Sequence, residues 1–337
     1  MIIDVHTHFI PESYIQLADR DPQAARATLM RNERGELFIK PLKNCPLPLG
    51  FGPFEPAMYD VKAKLASMDG LGVDLGAISA PSNMFFYSSE PADALHLARM
   101  WNDGVAQICR AHPERFTGLA TVPMQSPELA IAEMERAVTQ LGFKGVEIGT
   151  SIDGRDLDLP EFFPFFKRAQ ELDALVMMHP SACAICAGRA EKYYFQNAMG
   201  YMLESAIALG SLIFGGVLER LPKLKLYSTH GGGFMPYQIG RLDHVRKVRR
   251  ECANLVPREP SEYLRRVHFD SITHSPLALS YLISLVGIER ILLGTDDPMD
   301  MGERTPLRFV ESISGLSKAD RAAILGGNAS RLLGLAA

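Results

Sequence analysis

The chain has 337 residues, 47% hydrophobic and 22% charged, which allows a large core and excludes a disordered or fibrous protein. A formal net charge of −4 gives no general attraction to nucleic acid or anionic membrane and favours a small-molecule partner. Five cysteines, an odd number, argue for reduced thiols and against a disulfide framework.

No basic and apolar leader follows Met1. The longest weakly polar stretch, Ser205 to Leu218, is shorter than the roughly 20 residues that span a bilayer. A cytoplasmic protein without a membrane segment is expected.

Short runs of β-formers alternate with longer amphipathic segments. Candidate strands run over Ile2 to His8, Leu75 to Ala80, Phe116 to Val122, Gly145 to Gly149, Leu175 to His179, Leu224 to His230, Val267 to Ile272 and Ile291 to Asp296. Helical patterns fall near Val61 to Gly70, Ala92 to Ala111, Pro127 to Leu141, Leu159 to Leu172, Tyr201 to Arg220, Met235 to Arg250, Pro276 to Val286 and Thr305 to Ser314, with a last one from Lys318 to Leu333. Eight alternations imply a single-domain (β/α)8 barrel of TIM type, with a doubly wound open sheet as the alternative. The rhythm breaks over residues 10 to 59, where seven prolines and three glycines predict an irregular insertion after the first strand that covers the mouth of the barrel.

Polar residues gather where these strands end, the place where barrel enzymes put their chemistry. On the first strand the period of two places Asp4, His6 and His8 on one face and Ile3 and Val5 on the other. A His-x-His pair is a weak signal by itself. It gains weight from His179 at the end of Leu175 to His179, His230 at the end of the sixth strand, and Asp296 at the end of the eighth, since a carboxylate after an apolar strand is costly unless paired or bound to a metal. Imidazole and carboxylate donors suit zinc first, with manganese, iron and cobalt as alternatives. A metal-stabilised scaffold without catalysis is the competing reading.

Asp4-Val5-His6-Thr7-His8, Met178-His179-Pro180, His230 with its three following glycines, and Gly294-Thr295-Asp296 together resemble the amidohydrolase superfamily. The stretches TVPMQSPELA (121–130), GFKGVEIGT (142–150), GGVLERLPKLK (215–225) and HGGGFMPYQIGR (230–241) are similar to the group around 2-amino-3-carboxymuconate 6-semialdehyde decarboxylase. The resemblance implies one divalent ion held by His6, His8, His179 and Asp296, with His230 as the acid/base beside it and Asp296 assisting proton transfer. With no lysine at the end of strand four to bridge two metals, a mononuclear site is expected.

The same resemblance implies a non-oxidative decarboxylase of a small unsaturated or aromatic carboxylate, with hydrolysis or hydration as the alternatives. It further implies a homodimer in which Arg241 reaches the neighbouring subunit's substrate. Two departures bear on specificity. The group's arginine before an Asn-Cys pair is absent ahead of Asn44-Cys45, leaving Lys40 or Lys43 to supply a point charge in place of a bidentate fork. The group's tyrosine after Gly-Thr-Asp is Asp297 here. Arg241, Asn197, Asp297, Lys40 and Lys43 are therefore the candidate substrate contacts. Cys183 and Cys186 have the spacing of a redox or zinc pair, but two ordinary thiols are the simpler expectation.

Overall fold

The computed structural model describes residues 1–42, 51–181, 189–253 and 256–335. Eight strands form one sheet in chain order: β1 (Ile3–His8), β2 (Leu75–Ser79), β3 (Phe116–Thr121), β4 (Gly145–Gly149), β5 (Leu175–His179), β6 (Lys225–Ser228), β7 (His268–Asp270) and β8 (Ile291–Leu292). Each pairing is parallel. The chain beyond β8 closes the barrel onto β1: Val5 N–H donates to Leu293 O at 3.0 Å, Asp296 N–H to His6 O at 2.7 Å and His8 N–H to Asp297 O at 2.9 Å.

The strands are buried along almost their whole length because both faces are covered. Val176 and Met178 point outward into the large cluster shared with the helices. The alternate positions, Leu175 and Met177, join Ile3, Val5, Leu75, Ala77, Leu119, Tyr227 and Leu292 in an interior layer closed off by Leu332 and Leu333 of the last helix.

That layer corrects one expectation. Ile3 and Val5 do not face away from the barrel interior; they lie within it. A register shift between Asp4 and Thr7 then re-aims β1, so His6 and His8 also point inward, as a bulge beside an active site does. Asp4 leaves the histidine face and accepts from Thr295 Oγ1 at 2.5 Å and from the backbone N–H groups of His6 and Thr295.

The helices begin and end on recognisable signals. Asp60 caps Val61–Leu71 by accepting from Ala63 N–H, and Gly72 ends it in the left-handed region at φ 73°. Proline opens Pro91–Ala111, Pro127–Thr139 and Pro276–Val286. The last helical pattern is three pieces, Lys318–Ala322, a π turn Ala323–Gly327 and Asn328–Leu333. At Gly326 in that turn a Cβ would come within 2.1 Å of the Met1 carbonyl oxygen, so the bare backbone lets the N-terminus pass.

A helical run over Gln196–Phe214 is long and apolar enough to cross a membrane by length and composition, which the sequence boundaries did not suggest. Its buried face, including Ser205, Ala208, Leu209 and Leu212, packs into the fold. A core helix of a barrel passes the same test.

The insertion is more regular than its prolines imply. It carries a helix, Glu12–Arg20, and an antiparallel sheet of Ala27–Arg31, Leu37–Pro41 and Phe51–Phe54. Tyr14 and Trp101 hold it to the helix Pro91–Ala111, their rings 4.9 Å apart and both fully buried, and an Arg26–Asp93 ion pair lies nearby. Trp101 is the chain's one tryptophan and so reports on this contact. Tyr14→Ala should cost about 3–5 kcal/mol of stability and shift Trp101 fluorescence to the red. An unchanged emission maximum would mean that the insertion does not dock here in solution.

Candidate metal centre

The inward-facing ends of β1 and β5 bring His6, His8 and His179 together, and the turn after β8 adds Asp296. The rings of His6 and His8 are 5.1 Å apart between centroids, those of His6 and His179 5.0 Å, and those of His8 and His179 5.3 Å, all edge to face. Asp296 Oδ1 lies 3.4 Å from His6 Nε2 and 3.1 Å from His8 Nε2. The four residues expected from sequence converge.

Their hydrogen bonding fixes which nitrogen is free. His6 Nδ1 bonds Asp270 Oδ2 at 2.9 Å, His8 Nδ1 lies 3.1 Å from Ala80 O, and His179 Nδ1 lies 2.7 Å from Pro180 O. Each acceptor sets the tautomer, leaving Nε2 with its lone pair aimed into the common space. Nε2 of all three histidines and Oδ1 of Asp296 are buried without a hydrogen-bond partner. Four such atoms around one point would be costly in a protein without a ligand there, because buried polar groups are ordinarily satisfied. The donor set fits a divalent cation.

The electrostatics agree. Burial, with the neighbouring imidazoles, holds His179 well below its ordinary pKa, and burial lowers His6 despite Asp296 and Asp270. Both are neutral, as ligands must be. Burial opposes ionisation of Asp296, but the surrounding histidines outweigh it and keep the carboxyl far below the usual range.

His230 differs from the other three. Its side chain is 13% exposed whereas those of His6 and His8 are fully covered. Thr229 Oγ1 holds Nδ1 at 3.0 Å, and Nε2 stands 3.7 Å from Asp296 Oδ2, the oxygen not shared with His6 and His8. It also lies within ligand reach of His6, His179 and Asp296, so exposure and placement set it apart, not distance. His230 (φ 53°) and the following Gly231, Gly232 and Gly233 all have positive φ. A Cβ on Gly233 would meet Met202 O at 2.2 Å and one on Gly232 would meet the Phe269 ring at 2.6 Å, which accounts for the glycine run.

Three residues that sequence reading left unassigned or unresolved complete the surroundings. Asp270 is the hub: it accepts from His6, from Tyr227 OH at 2.8 Å, and from the backbone N–H groups of His230, Gly231 and Ile272. It lines the pocket as an acceptor and pairs with no Lys or Arg among the described residues. Lys64, fully buried on the helix behind β1, donates to Thr7 Oγ1 at 2.5 Å and to Asp297 Oδ2 at 2.7 Å. Glu147 on β4 is fully buried within ligand reach of His8 and His179. An acidic residue inside an otherwise apolar five-residue strand was the signal for it.

The expected substrate contacts fare differently. Asp297 is corrected: both its oxygens face away from the centre, taken by Lys64, Ser67 at 2.8 Å and Arg304 at 3.3 Å, because the turn after Asp296 sends successive side chains to opposite sides of β1. Asn197 is half-buried in the π turn Gln196–Tyr201, and Lys40 is half-buried on the insertion sheet. Arg241 is exposed on Met235–Val248. Lys43, Cys183 and Cys186 lie outside the described residues.

With this geometry in view, the amidohydrolase family profile matches residues 3–335. The chain belongs to the amidohydrolase family. It is 35% identical to the 2-amino-3-carboxymuconate-6-semialdehyde decarboxylase of Dictyostelium discoideum, over 99% of this chain and 91% of that one. In structure it resembles a 5-carboxyvanillate decarboxylase from Sphingomonas paucimobilis, with TM-score 0.80, 25% identity and 99% of each chain covered. It also resembles a dihydroxybenzoic acid decarboxylase from Polaromonas with bound manganese and the inhibitor 2-nitroresorcinol, with TM-score 0.75, 26% identity and 99% and 97% of the two chains covered.

Metal binding to this amidohydrolase should release protons. Burial opposes a charged His8, but Asp296, 3.1 Å from its Nε2, and the charge of Glu147 outweigh it and raise its pKa above the ordinary 6.5. Below that raised value His8 carries a proton that a cation must displace, so affinity should fall as the pH drops through it. Calorimetry in buffers of different protonation enthalpy reads the proton count. Affinity that stays flat between about pH 6 and 8 would remove His8 from the ligand set.

Proposed function

We propose that this amidohydrolase is a metal-dependent, non-oxidative decarboxylase of a small unsaturated or aromatic carboxylic acid. The observation that carries the reading is the set of orphaned buried donors on His6, His8, His179 and Asp296 with His230 open beside them. Named decarboxylases among its relatives support it. His6, His8, His179 and Asp296 hold one ion in this reading. Zinc suits four such ligands, and manganese suits a centre with more oxygen donors.

A divalent ion in that position supplies positive charge to a substrate oxygen. The protein's own groups do the rest. His230 keeps Nε2 toward the pocket because Thr229 occupies Nδ1, so a proton on Nε2 can be given to a reacting carbon. The bond between that carbon and the carboxylate breaks, carbon dioxide leaves, and the electron pair stays on the carbon, spread into the conjugated system. The proton from His230 then makes the new C–H bond, and the balance needs no oxidant. Asp296 Oδ2 stands 3.7 Å from His230 Nε2, on the side where the proton would be passed.

His230→Asn should leave metal binding intact and lower carbon dioxide release by about 10²- to 10⁴-fold. A screen of unsaturated and aromatic carboxylic acids for carbon dioxide provides the assay. Water incorporated into product without carbon dioxide would move the assignment to hydration or hydrolysis.

The substrate carboxylate is held, in this reading, by Lys40 or Lys43, by Asn197, and by Arg241 from a second copy of the chain. A homodimer is supported by the exposed apolar side chains of Tyr193, Tyr194, Phe195, Met199, Phe234 and Tyr237, of which Tyr193 and Tyr237 are each 81% exposed. Arg241 lies one turn beyond Tyr237 on the same helix face. Tyr237→Glu should yield a monomer in sedimentation and weaken substrate binding, whereas a dimer that persists would place the interface elsewhere. With free thiols at Cys109 and Cys252, the reducing cytosol is the proposed compartment, which cell fractionation tests.

A further inference from the structure

Glu147 takes no part in the reading above, yet it stands in the middle of the barrel. It pairs in register with Met177 of β5, whose side chain belongs to the interior layer, so the carboxylate projects inward one layer below His179. It is fully buried, and neither oxygen makes a hydrogen bond of sound geometry. Burial pushes its carboxyl up to about 7; the imidazole of His8, the nearby Ser79 hydroxyl and the imidazole of His230 oppose that rise, while Asp296 adds to it. The buried cation Lys64 is committed to Asp297 and Thr7. A buried carboxylate without a cation is among the costliest arrangements a core can hold.

One oxygen of Glu147 and one ring nitrogen each of His8 and His179 all lie within 4.8 Å of one another. Two ligands on opposite sides of an ion at about 2.2 Å stand about 4.4 Å apart, so this spacing admits a shared cation after a shift of a few tenths of an ångström. We propose that Glu147 is a fifth protein ligand of the metal centre and that it selects manganese over zinc. The proposal rests on the ligand assignment made for His6, His8, His179 and Asp296. Adding Glu147 turns a set of three nitrogens and one oxygen into three nitrogens and two oxygens. The two carboxylates then balance the charge of a divalent ion inside the barrel. Zinc is satisfied by four ligands, whereas the harder manganese gains more from another carboxylate.

The test uses the full chain stripped of metal and titrated with Mn2+ or Zn2+. Glu147→Gln should weaken Mn2+ binding by about 10- to 100-fold. Its effect on Zn2+ should be less than about threefold. The stripped variant should also unfold at a higher temperature than the stripped wild type, because it no longer buries an unpaired charge; a carboxylate that merely holds the fold together would give the opposite shift. Glu147→Asp, which keeps the charge and shortens the reach, should alter the electron paramagnetic resonance spectrum of the Mn2+-loaded protein. Equal losses for both ions, unchanged Mn2+ affinity, an unchanged spectrum, or two ions bound per wild-type chain would each overturn the proposal. A wild-type chain that binds neither ion would instead sink the decarboxylase reading itself.

Discussion

The seam where the end of the sheet returns to β1 is the constraint from which the rest follows. Asp296 N–H donates to His6 O and His8 N–H donates to Asp297 O, so the two halves of the ligand set are tied by backbone before any side chain is considered. Behind the seam, Lys64 ties Thr7 to both the carbonyl and the carboxylate of Asp297. Its burial lowers its pKa, and Asp297 opposes that fall. A buried pair of this kind adds little stability, but removing either partner strands a charge, so it holds the register of the two strands firmly. The candidate metal ligands inherit that rigidity.

A second requirement is local backbone strain. His230 and Asp296 both adopt left-handed conformations, φ 53° and 60°, which cost a non-glycine residue roughly 1–2 kcal/mol. Both occur where a strand ends and the chain must turn while its side chain points along the barrel axis. Asp270 helps to hold the first by accepting from the backbone N–H groups of His230 and Gly231, while its other contact orients His6. One carboxylate thus sets both a candidate ligand and the candidate acid/base beside it. Around it, burial favours the neutral form, but its bonds with His6 and the two backbone groups lower its pKa, so it remains an anion.

The sequence made the barrel legible because strand-sized apolar runs and helical periods alternate, and because strand ends carried polar residues that a core would reject. Position, more than residue type, identified His179 and Asp296. The face assignment on β1 failed at one point. Strict alternation put Asp4 with the histidines, and the irregularity between Asp4 and Thr7 that re-aims the strand has no glycine or proline to announce it. Asp297 was misread for a related reason: adjacency to a ligand in sequence says nothing about which side of the strand a side chain takes. Its partner Lys64 lies 233 positions away, on the helix Val61–Leu71.

Glu147 shows where such reading runs out and what replaces it. Within GFKGVEIGT the residue looks like one more strand position, and only the tertiary arrangement reveals that its neighbours on both sides are candidate ligands. Burial raises its carboxyl to about 7, as it does that of Asp4, but the two differ in what surrounds them. Asp4 has the hydroxyl and backbone N–H of Thr295 and the backbone N–H of His6, so its oxygens are occupied by the fold. Glu147 has none of these, and its free oxygens sit among atoms that are likewise unpartnered. Two buried acids in one barrel thus differ: the first joins β1 to the end of the sheet, and the second keeps two oxygens that no hydrogen bond from the fold satisfies.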